Sequence, residues 1–292
     1  MRTIFRPYIQ TMLSLASFAG LIACGALEPE QPATKRVIVI QGVCSSSEIF
    51  EQPGHWTTSV KSILANRFDL IDLPTGDPDD QIIEFGYSAS GWDQDYLPSE
   101  TLRSIPDTSR ALLDIYSAYP NSEFFVLGHS LGGVIALDGL ARYSDIDNEM
   151  LEQTSRVITV SSPVQGLTEA NANVARISIE LLACRQFPGA NSEPSAVWSD
   201  IQDSGQSISL IHDTDWNGNR VVNFANKRDR VVNWQTAILE SHFSVSCFDT
   251  GRQGFLSANH DTLLADPEIA IELMDVLIND EGSVRSPCSH RN

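Results

Sequence analysis

Apolar runs and helix-spaced stripes alternate along the chain from residue 36 onward. Arg36-Val37-Ile38-Val39-Ile40 is a β-branched run, and QIIEFG (81–86), Phe124 to Leu127, RVITV (156–160) and NRVVNFA (219–225) repeat it. Runs that are apolar without alternation fit strands buried on both faces of a parallel sheet. Between them, helical spacing is carried by Val60, Ile63 and Leu64 in 56–68, by Leu112, Leu113, Ile115 and Tyr116 in 106–119, and by Val134 to Leu140. A last amphipathic helix runs through Ile269, Ile271, Leu273, Met274, Val276 and Leu277, with Asp266 placed to cap it and Pro267 at its first position. Strand and helix in alternation predict an α/β fold class, a mainly parallel sheet of about six strands joined by right-handed crossovers and flanked by helices. Residues 167–216 break the alternation, and a connection this long in a compact domain predicts a lid or cap insertion.

The stretch Glu123 to Gly133, EFFVLGHSLGG, joins one of these strands to the next helix through Gly128-His129-Ser130-Leu131-Gly132. A serine at the apex of a sharp strand-to-helix turn takes a strained backbone conformation, and glycines on either side keep side chains out where strand and helix nearly touch. The following helix turns its N-terminal N–H groups toward any negative charge that develops at Ser130.

This G-x-S-x-G element, between strand and helix, resembles the nucleophile elbow of the α/β-hydrolase family, and its GHSLGG form is most similar to lipases and esterases. The resemblance implies an α/β-hydrolase fold and a Ser–acid–His triad in that chain order. Ser130 is then the nucleophile. Asp229, in the loop NKRDRVV after the strand at 219–225, is the acid candidate, with an ion pair to Lys227, Arg228 or Arg230 as the alternative. His260, on the loop leading into the last helix, is the base candidate ahead of His242. His55 and His212 precede the acid, His290 is near the terminus, and the side chain of His129 is expected to point away from the nucleophile. Oxyanion donors are expected at the backbone N–H of Leu131 and of Val43, with Cys44 second to Val43. Gln41 stands where lipases usually carry the histidine of a His-Gly-x loop. Together these residues imply carboxylic-ester hydrolysis through an acyl-enzyme, with an acyltransferase or a catalytically silent binding protein as alternatives. No cofactor or metal is required.

The front of the chain raises the expectation that this chemistry takes place outside the cytoplasm. Arg2 and Arg6 precede an apolar stretch, Ile9 to Ala23, that is too short and too polar for a membrane span. It ends in Leu21-Ile22-Ala23-Cys24, which resembles a bacterial lipobox. The resemblance implies a signal peptide over 1–23, lipidation of Cys24, a tether over 24–35 and a hydrolase domain over 36–292. A lipid-anchored protein of the bacterial cell envelope, or a secreted one, is the expectation. The formal charge of −19 argues against nucleic acid as a partner. An ester or lipid substrate remains, with the membrane reached through the anchor and no obligate protein partner. Apart from Cys24, four cysteines remain (Cys44, Cys184, Cys247, Cys288), enough for two disulfides in three connectivities, with Cys184 to Cys247 the favoured pair.

Overall fold

In the computed structural model, strands β1 (Thr34–Ile40), β2 (Ile82–Glu84), β3 (Ser122–His129), β4 (Thr154–Val160), β5 (Val221–Asn226) and β6 (Ser244–Phe248) form one sheet in the order β2-β1-β3-β4-β5-β6. Every neighbouring pair is parallel. The structure describes residues 33–43, 56–74, 76–88, 91–92, 98–143, 148–173, 176, 196–216, 221–239, 244–251, 259–260 and 262–279. Its helices are α1 (Trp56–Arg67), α2 (Ile105–Ala118), α3 (Leu131–Tyr143), α4 (Asn148–Gln153), α5 (Val197–Asp200), α6 (Gln206–Asp213), α7 (Thr262–Ala265) and α8 (Pro267–Asn279). β1 begins at Thr34, two residues inside the expected tether.

The uninterrupted apolar runs follow from burial on both faces. Successive side chains of a strand point to opposite faces. Val37 and Val39 of β1 pack with Phe125 and Leu127 of β3 in a core shared with Leu64 of α1 and Leu273 of α8. Ile38 and Ile40 face the other way, into a core with Val126, Leu112 of α2 and Val134 of α3. Both helix starts foreseen from the sequence are capped. Ser104 Oγ accepts from Asp107 N at 3.3 Å before α2, and Asp266 Oδ1 accepts from Glu268 N at 3.0 Å before α8.

The topology fixes where a ligand can sit. β2 lies on one side of β1 and β3 on the other, so the chain reverses its winding there, and the carboxyl ends of β1 and β3 open a crevice. Ile40 pairs in register with Gly128, which sets Gln41-Gly42 beside His129-Ser130. In the expected insertion, Leu167 bridges Gln202, and the Asp200 carboxylate accepts from Ile105 N at 2.8 Å, tying α5 to the start of α2.

Asp80 introduces a pH dependence away from that crevice. It is fully buried and accepts from Leu73 N (3.1 Å) and Ile82 N (3.2 Å). Burial, followed by the neighbouring Asp72 charge, pushes its carboxyl up to about 6 against the pull of those two N–H groups and Lys61. A carboxyl with a raised folded-state pKa binds more protons folded than unfolded, so its contribution is present in acid and is lost as pH rises from about 4 through 6. Asp80→Asn is expected to flatten the fall in Tm across this window. The difference between variant and wild type at pH 7 is at most about 3 kcal/mol, from a shift of roughly two units. Calorimetric Tm at a series of pH values reads it, and an unchanged slope refutes the assignment.

Candidate active site

Ser130 follows the last residue of β3 and precedes the first of α3, with φ at 53°, in the left-handed region that a residue with a side chain rarely enters. Its N–H donates to Val160 O at 2.9 Å, which holds the turn against β4. The turn is that tight because the glycines around it leave no room. A Cβ on Gly128 would lie 2.4 Å from Gly133 Cα, and one on Gly132 would lie 2.1 Å from the carbonyl oxygen of Ile40. From β1, a Cβ on Gly42 would be 2.9 Å from Ser130 Cβ, so the Gly42-Val43 backbone runs directly against the serine. Both backbones named as oxyanion donors therefore border Ser130, and Val43, Leu131 and Ser130 line one small cavity of about 20 Å³.

The sequence-named acid and base meet across 31 positions of chain. His260 Nδ1 lies 2.7 Å from Asp229 Oδ2, with the two side chains 13% and 1% exposed. The other carboxylate oxygen, Oδ1, accepts from Val231 N (2.8 Å) and Val232 N (3.0 Å). With both oxygens committed, the Asp229 carboxylate is fixed, and an ionised acceptor in that position makes Nδ1 the protonated ring nitrogen. Two of the neighbouring cations have other partners. Arg228 pairs with Asp249 and donates to Gly251 O at 3.0 Å, while Lys227 sits over the Trp234 ring.

Asn226, the last residue of β5, ties the loops together and was not singled out by the sequence. It is 1% exposed. Its Nδ2 donates to Asn259 O (3.1 Å) and Thr250 O (3.2 Å), and its Oδ1 accepts from Arg228 N at 3.1 Å and Thr250 N at 3.4 Å. One side chain thus joins the acid loop, the end of β6 and the residue before His260. A buried amide satisfied on both ends rigidifies what it connects. Asn259 itself has φ at 51°, the turn that presents His260.

His129 holds its ring against that of His260, centroid to centroid at 4.8 Å, with Nε2 3.4 Å from His260 O. It packs on His260 from the position next to Ser130 in sequence. Tyr87 donates its hydroxyl to the backbone carbonyl of Gln41 and braces the loop that leads to Val43. The Gln41 side chain is 1% exposed, and neither its Nε2 nor its Oε1 has a hydrogen-bond partner. Such a group costs about 1–3 kcal/mol, and nothing in the structure explains its retention.

The cavity beside Ser130 is apolar. Leu167, Val197, Trp198 and Ile201 of the insertion close one side, and Pro163, Val231 and Val232 close another. Cys24, Cys44 and His242 lie outside the described residues, and Cys247 on β6 is the one cysteine within them, so the Cys184–Cys247 pairing also falls outside. Among the described residues no cluster of His, Cys, Asp and Glu is arranged to hold a metal ion.

Comparison with known proteins matches this architecture. The family model for lipase (class 3) matches residues 37–181, a span that holds Ser130 and ends before Asp229 and His260. No curated protein matches the chain by sequence. Among solved structures, the chain is similar to alpha/beta hydrolase domain-containing protein 10 from mouse, at 17% identity and a TM-score of 0.50, over 86% of this chain and 92% of that one. It is similar to the same degree to a putative hydrolase from Agrobacterium vitis, at 14% identity and a TM-score of 0.50, over 86% of this chain and 90% of that one. A six-stranded parallel sheet flanked by helices, laid out like these structures over most of its length, gives this chain the α/β-hydrolase fold.

Proposed function

We propose that the protein hydrolyses carboxylic esters through a Ser130–His260–Asp229 triad and an acyl-enzyme. The observation that carries this reading is the His260–Asp229 pair, held at 2.7 Å on a fixed carboxylate, in a chain that also sets Ser130 at positive φ between strand and helix. Ser130 Oγ attacks the carbonyl carbon and gives its proton to His260 Nε2, while Asp229 stabilises the imidazolium. The tetrahedral oxyanion is met by the N–H of Leu131 and of Val43, each such donor contributing about 3 kcal/mol to the barrier reduction. The imidazolium then protonates the leaving alcohol. Water, deprotonated by His260 in turn, releases the acid from Ser130. The apolar wall of Trp198, Val197, Ile201 and Leu167 suits the acyl part of an ester, and the class 3 lipase match over 37–181 supports an ester or lipid substrate. The insertion would then act as a cap over the acyl group. The lipobox-like Cys24, read from sequence, supports an extracytoplasmic, lipid-anchored enzyme.

A fluorophosphonate ester, which phosphonylates an activated serine and loses fluoride, tests this without substitution. The adduct is expected on the peptide that carries Ser130, found by tandem mass spectrometry, and to vanish when the protein is unfolded beforehand. An adduct elsewhere, or none, counts against the triad.

A further inference from the structure

A second cavity, of about 310 Å³, opens at the other pole of the sheet, where β1 and β3 begin. Eight residues of β3 separate this pole from Ser130, roughly 25 Å of extended chain. An occupant there does not reach the reacting serine. Arg36, Tyr119, Trp92, Ser122, Thr34 and Asn121 line it, and Arg36 is the one charged residue in the lining among the described residues.

Arg36 is 6% exposed. Its Nε donates to Ser122 Oγ at 2.9 Å and its Nη2 to Pro78 O at 2.7 Å, and the guanidinium lies 4.0 Å over the Tyr119 ring, which Trp92 meets at 5.9 Å. Nη1 has no hydrogen-bond partner. No carboxylate stands within ion-pair distance of it among the described residues, although the chain carries 38 acidic residues, and Asp79 and Asp80 act on it only from farther away. A buried cation with an unmet N–H is costly, and such charges are normally paired. Here the unmet donor and an open cavity with aromatic walls occur together.

We propose that this cavity is a binding site for a small organic monocarboxylate with a flat apolar body. The carboxylate supplies the counter-charge that the Arg36 guanidinium, in the cavity lining, lacks among the described residues. The body lies against Trp92 and Tyr119, and the hydroxyls of Thr34 and Ser122 and the amide of Asn121 offer polar contacts at the rim. One cation, with Asp79 and Asp80 in its field, selects a single negative charge over a doubly charged phosphate. Acids of this class are what ester hydrolysis releases, but the site stands on its own geometry, whatever reaction Ser130 performs.

The test is titration of the full chain with benzoate by isothermal calorimetry and ligand-observed NMR, with neutral benzamide alongside. Saturable benzoate binding is expected, weakened about tenfold or more for benzamide and for Arg36→Met. Arg36 also holds Pro78 and Ser122, so a second variant leaves it in place. Ala118 is exposed at the cavity wall, and Ala118→Trp fills the space and should abolish binding with the fold intact by circular dichroism. Absence of benzoate binding up to about 10 mM, a range that still registers interactions of about 3–4 kcal/mol, overturns the proposal. So does equal binding of benzamide, or benzoate binding that survives Ala118→Trp.

Discussion

Ser130→Ala is expected to lower ester turnover by about 10⁶-fold, and Asp229→Asn by about 10⁴-fold, with Tm in both close to that of the wild type. Removing the hydroxyl removes the attacking atom and leaves only binding and the backbone donors. The turn does not relax, because alanine at φ 53° carries the same Cβ strain as serine. The Asp229 effect has a more specific origin. Oδ1 is occupied by the N–H groups of Val231 and Val232, which need an acceptor. The new amide must therefore keep its oxygen there and turn its NH₂ toward His260. The imidazole is then obliged to accept at Nδ1 and to carry its proton on Nε2, where it cannot take one from Ser130. The losses do not add, since both residues serve one step, and the double variant should be no slower than Ser130→Ala alone. Hydrolysis of p-nitrophenyl esters from acetate to palmitate reads all three proteins. Turnover by Ser130→Ala within tenfold of the wild type would remove Ser130 from the mechanism, whatever the fold.

What the sequence made legible was local. The strands β1, β3, β4 and β5 are apolar on both faces because helices cover both, and that alone marks them. β6 (SVSCF) escaped notice, since a short run alternating serine with apolar residues at a sheet edge has no such signature. β2 shrinks to three residues at the opposite edge. The long connection over 167–216 stands out by its length, but its tie to α2 through Asp200 and Ile105 joins residues 95 apart and has no local mark. The same holds at the site. The candidate acid and base could be named from their positions after a strand and before a helix. The work of Asn226, Tyr87 and His129 lies in contacts between distant loops, which spacing does not reveal. The ring of His129 lies against that of His260, a contact that its place in the elbow does not reveal.

Gly132→Ala is expected to be severely damaging, and Gly139→Ala, two helix turns later, to be nearly silent. Both lie in α3, where alanine for glycine should contribute about 0.5–1 kcal/mol through helix propensity. Space decides the sign. At Gly139 the added methyl meets Leu112 Cδ1 at 2.6 Å, the end of a flexible side chain that can turn away, and Ser109 O at 3.1 Å. At Gly132 it meets the carbonyl oxygens of Ile40 and Gln41 at 2.1 and 2.6 Å, and neither can yield without moving β1 or α3. A displaced α3 carries Leu131 N–H away from Ser130, and a displaced β1 end carries off Gly42 and Val43, so folding and turnover fail together. The Tm of Gly132→Ala should drop by more than 10 °C, or about 3 kcal/mol and above at 2–4 °C per kcal/mol for a protein of this size, with turnover down at least about 100-fold. Gly139→Ala should stay within about 3 °C of the wild type with full turnover, because its helix gain and its contact with Leu112 nearly cancel. Equal Tm values for the two variants would mean that β1 and α3 are not in contact at Gly132, and the close approach that presses Ser130 against Gly42 would have to be abandoned.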